Sequence, residues 1–492
     1  MRTIPHWING KPVETGVEQL PVLDPATDTP IAQVWMADSV LVEAVVDAAE
    51  AAAESWAETS MSKRAHVLFR FRDLLLANRS ELAALITSEH GKTLDDATGE
   101  ISRAVESVEL ACGGPALAHG STSLQSGPNI DTRSMMHPLG VCVGITPFNF
   151  PAMMGLMMVS VALAAGNTFV WKPSEQDPGT AVRIAELLQE AGLPDGVLNV
   201  VHGQQDTVTQ LLDDPRTQAA SFVGSSDVAH SIYKRAAQSG MRCQAFGGAK
   251  NHMVVMPDAD LDTVADQLAS SAFGAAGQRC MAISVAVVVG DVYDDLLARL
   301  VPRAHAVKMN AGVVPETEVG PVVSRRAQQR IQELVRVGIA DGATSPVDRS
   351  TEEVPGYENG YFVGPTILAG LPTTSEAYQQ EIFGPVLVLL NVDTLDEAIG
   401  LIRSHRYGNG ASIFTNNGAA ANQFTNQATA GMVGINVAIP VPVATYAVQG
   451  WKNSAYGDTG LNNASWSFYT RPKYITSRWE TSAGMDFGFR PN

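Results

Sequence analysis

Neither a C-x-x-C pair nor a G-x-G-x-x-G turn occurs in the 492 residues, and basic side chains are outnumbered, 33 Lys and Arg against 51 Asp and Glu. Each shortage excludes something. The formal charge of −18 repels phosphate backbones and anionic headgroups, and no basic patch offsets it, so neither nucleic acid nor a membrane surface is an expected partner. Only four cysteines are present, Cys112, Cys142, Cys243 and Cys280, scattered and without a nearby histidine pair; neither a zinc site nor a disulfide framework is indicated, and no metal is expected. The opening MRTIPHWINGKPVETG lacks an apolar core of signal-peptide length. The longest apolar run, AMMGLMMVSVALAAG, is too short and too glycine-broken to span a bilayer, which leads us to expect a cytoplasmic protein.

What is present is material for more than one core. A chain of this length predicts two or three domains, and its 43 glycines predict many tight turns and close backbone approaches. The first hundred residues read mostly as helix, through LVEAVVDAAEAAAESWAE and RAHVLFRFRDLLLANRSELAALITSEH. From Val141 short β-branched runs alternate with helical ones (VCVGIT, NTFVWK, GVLNVV, AASFVG), the rhythm of βαβ units and a parallel sheet. A second alternating region begins at His252 and predicts a second α/β domain. Near the carboxyl end, SWSFYTRPKYITSRWE has the period-2 pattern of a strand, one that could pair with another subunit.

Several motifs fail. HGKT at His90 to Thr93 has the form of a phosphate-loop ending, but residue 86, where the first loop glycine belongs, is isoleucine. H-E-x-x-H and G-x-S-x-G are both missing, removing the main support for metalloprotease and serine-hydrolase chemistry. Three features remain, each with two readings. Lys172 and Glu175, in WKPSEQ after a strand, suit either a ribose diol or a surface ion pair three residues apart. Ser225, in FVGSSD, suits either an anion at a helix start or an ordinary N-cap. Asn149, in the proline-stiffened TPFNFP, is either an oxyanion donor or a turn asparagine.

Taken together and in order, PFNFP, WKPSE, FVGSS, FGAAGQRC and EIFGPVL resemble the aldehyde dehydrogenase superfamily over nearly the whole chain. The resemblance implies an α/β subunit: a parallel-sheet NAD-binding domain (1–119 and 138–247), an α/β catalytic domain (248–446), and a β arm for oligomerisation (120–137 and 464–485) that builds a homotetramer. It implies Cys280 as nucleophile and Asn149 as oxyanion-hole amide, with the Cys280 N–H as second donor. Cofactor contacts are implied at Thr146, Phe148, Lys172, Glu175, Ser225, Glu381 and Phe383. Glu175, whose charge opposes a 2′-phosphate, implies NAD over NADP.

Thiolate addition suits aldehyde oxidation because it makes the carbonyl carbon tetrahedral, from which hydride departs far more easily, and leaves a thioester. A thiol's pKa can be lowered for this task by neighbouring cations or N–H dipoles. In most of the superfamily a glutamate in ELGGK activates the water that clears the thioester. Here QAFGGAKN puts Ala245 or Phe246 at that place, depending on a one-residue slip. Without a general base, worth roughly 10²–10⁴ in rate, coenzyme A becomes the expected acyl acceptor. With GAKNHMVVMPDADLD, GQRCMAIS and GWKNSAYG, the resemblance narrows to CoA-acylating methylmalonate- and malonate-semialdehyde dehydrogenases. It implies Arg279 and Arg103 as carboxylate-binding residues, although Arg103 also suits helix ion pairs with Glu100 and Glu106. Small residues at Val443, Ala444 and Val448 leave the pocket's shape open. Two alternatives stand beside this reading: a hydrolytic NAD(P)-dependent enzyme releasing a free acid, and an inactive structural or binding homologue.

Overall fold

The computed structural model describes residues 1–458 and 460–479. An eight-stranded sheet has the spatial order Ala455–Gly457, Arg242–Phe246, Thr217–Val223, Val141–Ile145, Thr168–Lys172, Leu198–Val200, His6–Ile8, Lys11–Val13. Its five central strands are parallel, and the edges at 455–457 and 6–13 pair antiparallel. The central strands are buried throughout or nearly so, as helices on both faces require. From Val141–Ile145 the chain runs outward on one side through 168–172 and 198–200, then returns to the other side at 217–223. Ligand crevices of open α/β sheets form at such a reversal, outside the strands' carboxyl ends. Thr146 to Asn149 and Gly224 to Ser226 are the segments that leave those two ends.

The second sheet has seven strands, ordered Thr344–Asp348, Thr366–Ala369, Val386–Val392, Ile283–Val289, Asn251–Val255, Gly410–Phe414, Met432–Ile435, all parallel except the 344–348 edge. Cys280 and Glu381 lie just before its strands 283–289 and 386–392, so amino ends of this sheet meet carboxyl ends of the first.

One expectation needs correction. The first 36 residues are not helical: they form five strands, of which Thr29–Met36 buries Ala32, Val34 and Met36 on one face, a period-2 pattern; helix starts at Ser39. The late strand, Thr470–Arg478, forms as expected and pairs on one edge, antiparallel to Ile130–Pro138 over nine residues, leaving its other edge open among the described residues. With Thr122–Gly127 these strands make a three-stranded arm. Residues 480–485 of the expected arm lie outside the described residues. The first sheet also recruits 455–457, a segment the sequence reading left unassigned.

Candidate active site

The residues around Cys280 are small for a steric reason. Ala275, Ala276 and Gly277 take φ of 51°, 52° and 67°, three successive left-handed residues that reverse the chain after the Leu261–Phe273 helix. A Cβ on Gly277 would lie 2.0 Å from the Gly384 carbonyl oxygen, and one on Gly274 would lie 2.8 Å from the Arg279 guanidinium. Left-handed alanines are costly and persist only where surroundings hold them. Here Asn251 donates to the Cys280 and Ala282 carbonyls, both at 2.9 Å, and Asn409 donates to the Cys280 carbonyl at 3.1 Å.

Cys280 stands where two cavities meet. On the side of the eight-stranded sheet a cleft of about 430 Å³ is lined by Phe148, Asn149, Ser225, Glu381 and Phe383, among others. On the other side an apolar cavity of about 110 Å³ is walled by Phe150, Met153, Met154, Met157, Phe246 and Val448, among others. Its one charged lining residue, among those described, is Arg279. The strand 242–246 settles the one-residue slip: Phe246 faces this cavity, whereas Ala245 belongs to the core on the sheet's opposite face. Val443 lies at the surface and Ala444 is buried outside the wall; the valines facing the cavity are Val223, Val441 and Val448.

Asn149 is buried, and its Nδ2 donates to the Gln278 carbonyl at 3.0 Å, tying the amide to the Cys280 loop. Phe148 and Phe383 meet edge to face at 5.9 Å. Glu381 Oε1 accepts from the Ala249 N–H at 3.0 Å; burial pushes its carboxyl up to about 7, opposed by that N–H and by the Lys250 and Arg330 charges. A Cβ on Gly248 would lie 2.5 Å from Glu381 Oε2, so a side chain there would displace that carboxylate.

Ser225 is the N-cap of the Ser226–Gln238 helix, yet its hydroxyl makes no cap bond and faces the cleft. Lys172 and Glu175 form the ion pair with each other, at 3.1 Å. Thr146 is buried and accepts from Trp171 Nε1 at 2.8 Å, which fixes the start of the 146–151 turn behind the cleft wall.

Three expectations about charge change. Arg279 is already engaged, Nη2 donating to Asp96 Oδ1 at 2.5 Å. Arg103 bonds Glu106 at 2.7 Å and the Pro442 carbonyl at 3.0 Å, while Glu100 turns inward to Lys92 instead. The Cys280 thiol is not lowered: burial first, and the Glu381 charge second, push it up to about 11, against the pull of the Cys280 and Met281 N–H groups. Alkylation of ligand-free enzyme by iodoacetamide, followed at Cys280 by mass, should therefore rise about tenfold per pH unit from pH 7 to beyond pH 9. Glu381→Gln should move that profile to lower pH. A plateau already reached at pH 8 would contradict this account of the thiol.

The sequence gives Glu100 only as an ion-pair partner of Arg103, and it gives Lys92 and Asp96 no role at the site. HGKT drew attention only as a failed phosphate loop, and nothing local in the sequence connects these side chains to Asn149 or Arg279.

A fold of two facing α/β sheets with a cysteine between a cleft beside the eight-stranded sheet and an apolar cavity defines a class. A model of the Aldehyde dehydrogenase family matches residues 13–475, and the chain belongs to that family. It is 48% identical to a malonate-semialdehyde dehydrogenase of Pseudomonas aeruginosa, over 99% of this chain and 98% of that one. It is 44% identical to the mouse mitochondrial methylmalonate-semialdehyde/malonate-semialdehyde dehydrogenase [acylating], over 97% and 90% of the two chains. Among solved structures it is similar to the methylmalonate-semialdehyde dehydrogenase of Oceanimonas doudoroffii (TM-score 0.97, 46% identity, 98% and 99% covered). A Sinorhizobium meliloti 1021 protein complexed with NAD matches equally well (TM-score 0.97, 43% identity, 98% and 99% covered).

Proposed function

We propose that the chain is an NAD-dependent, CoA-acylating dehydrogenase of malonate or methylmalonate semialdehyde, releasing acetyl-CoA or propionyl-CoA and carbon dioxide. One observation carries the acylating half of this reading: the cavity beyond Cys280 has Phe246 where a water-activating carboxylate would stand, and no described acidic residue lines it. The names of the similar proteins support the same reading.

The cleft residues suit NAD. Ser225 brings an unbonded hydroxyl and the free N–H groups of a helix start to a place fit for a diphosphate, and Gly247 and Gly248 keep that wall clear of side chains. Lys172 and Glu175 are offered for the adenosine ribose, Glu381 and Phe383 for the nicotinamide side. When bound, the dinucleotide supplies a hydride acceptor. The protein's share is addition of Cys280 Sγ to the aldehyde carbon, the oxyanion being held by Asn149 Nδ2 and the Cys280 N–H. Collapse of that adduct expels hydride and leaves an acyl thioester on Cys280. A carboxylate β to the thioester carbonyl can depart as carbon dioxide, because the enolate left behind is stabilised, and a proton taken up from water at its carbon completes the acetyl or propionyl thioester. The thiol of coenzyme A then displaces the acyl group and restores Cys280.

Arg279 is the cation that lines the apolar cavity beside Cys280, where it can meet the substrate carboxylate; its guanidinium has donors beyond the one Asp96 takes. Arg103 is offered as the second. A homotetramer fits the arm, where Leu124, Met135 and Tyr474 are exposed. Four free thiols fit a reducing cytoplasm. Among the described residues no helix is long and apolar enough to cross a membrane.

The test is turnover of a 3-oxo acid with NAD, with and without coenzyme A, products identified by mass, and propanal run alongside as the carboxylate-free control. Acyl-CoA and carbon dioxide should form only with CoA, and propanal should be the poorer substrate. Undiminished steady release of free acid without CoA would reject the acylating reading.

A further inference from the structure

The turn between the helices Arg79–His90 and Leu94–Cys112 places an ion pair in the protein interior. Lys92 and Glu100 have side chains 1% and 0% exposed, with Nζ 2.7 Å from Oε2. The same Nζ lies 2.5 Å from the Asn149 carbonyl oxygen and 4.5 Å from the centre of the Phe150 ring. Glu100's other oxygen, Oε1, accepts the N–H groups of Ala152 at 2.8 Å and Met153 at 3.2 Å, where the helix Met153–Ala165 begins. The pair thus brackets Asn149 to Met153, its ammonium on the first carbonyl and its carboxylate on the last two amides. Lys92 is itself held in place. Gly91 ends the preceding helix at φ 91°, Lys92 N–H donates to His90 Nδ1 at 3.2 Å, and Gly312 packs so closely that a Cβ there would lie 2.2 Å from the Lys92 carbonyl oxygen.

Stability alone gives little reason for this arrangement. In other proteins apolar residues of similar volume often replace buried ion pairs without loss. A carboxylate at the 153–165 helix start needs no lysine to accept amide bonds. What the lysine adds is a strong donor on the one carbonyl that belongs to Asn149. That bond fixes the peptide unit from which the Asn149 side chain projects, while Nδ2 is held to Gln278, two residues before Cys280. Donors aimed in advance at developing charge need no reorganisation when it appears.

We infer that Lys92 and Glu100 are positioning residues for the oxyanion donor, setting the Asn149 carboxamide toward the carbon that Cys280 attacks before the aldehyde arrives. This rests on the reading of Asn149 in the proposed function. The pair acts only through Asn149, and it touches neither the thiol nor the aldehyde.

The experiment is a double-mutant comparison on the full-length enzyme. Lys92→Met, Glu100→Gln and the pair of substitutions together are made with Asn149 intact and again with Asn149→Ala, which keeps the backbone carbonyl. The pair leaves no unmatched charge and retains Oε1 as an acceptor, so it carries the comparison should Lys92→Met not fold. Three quantities are read: NADH formed in the first turnover without CoA, NAD binding by fluorescence, and the alkylation rate of Cys280. With Asn149 intact, first-turnover hydride transfer should fall by about 10–10², at little change in the aldehyde concentration needed for half-saturation. NAD binding and alkylation should hold to within about twofold, and in the Asn149→Ala background the further loss should also be below about twofold. Additive losses in that background, no loss with Asn149 intact, or parallel losses of NAD binding and alkylation would overturn the inference. If Asn149→Ala by itself leaves the first turnover unchanged, the fault lies with the oxyanion reading of Asn149, and the inference falls with it.

Discussion

Cys280→Ala is expected to abolish aldehyde oxidation, lowering NADH formation by about 10⁴-fold or more, as removal of a covalent nucleophile does elsewhere. Every later step needs the sulfur: the tetrahedral adduct, the hydride departure and the thioester. The substitution should fold, because the loop's shape depends on Gly274, Gly277 and the Asn251 and Asn409 bonds to the Cys280 and Ala282 carbonyls, none of which involves the thiol. NAD binding measured by fluorescence should persist. An alanine variant that still forms NADH at a substantial rate from a semialdehyde would remove the basis of the proposed function.

Phe246→Glu carries the second large effect, a gain. A carboxylate at 246 would enter the cavity beside Cys280, among Phe150, Met154 and Met157, where burial raises a carboxyl's pKa toward neutrality and makes it a better base. Water activated there should clear the thioester without CoA, so steady NADH formation in its absence should rise by about 10²-fold. Free acid should replace acyl-CoA among the products. The first-turnover burst should change far less, since it precedes deacylation. If the burst is intact and the CoA-free steady rate does not move, the missing base is not what makes this enzyme depend on CoA.

Each prediction draws on a different depth of reading. The proposed nucleophile is visible in GQRC within its set of companion motifs, because chemistry of this kind needs particular residues at short range. The CoA preference was visible only as a gap, and the sequence left two candidates, Ala245 and Phe246, for the residue filling it. A shift of one residue on a strand moves a side chain to the other face. The strand's pairing, with Phe246 beside Val223 and Ala245 beside Phe222, was needed to choose. The opening strands were misread because most are only three residues long and an alanine-rich helix follows directly.

By itself the sequence determined the alternation of strands and helices and the two α/β halves, and it offered the proposed reacting groups, since hydrophobic period and motif spacing are local properties. The tertiary structure decided which charges meet. Lys92 reaches Asn149 across 57 residues, Arg279 reaches Asp96 across 183, and Arg103 reaches Pro442 across 339. It also decided that Cys280 is half-buried beside Glu381, with its thiol pushed up. The reason is physical: a side chain's charge environment and burial are set by whatever the fold packs against it, and no short window of sequence contains those neighbours.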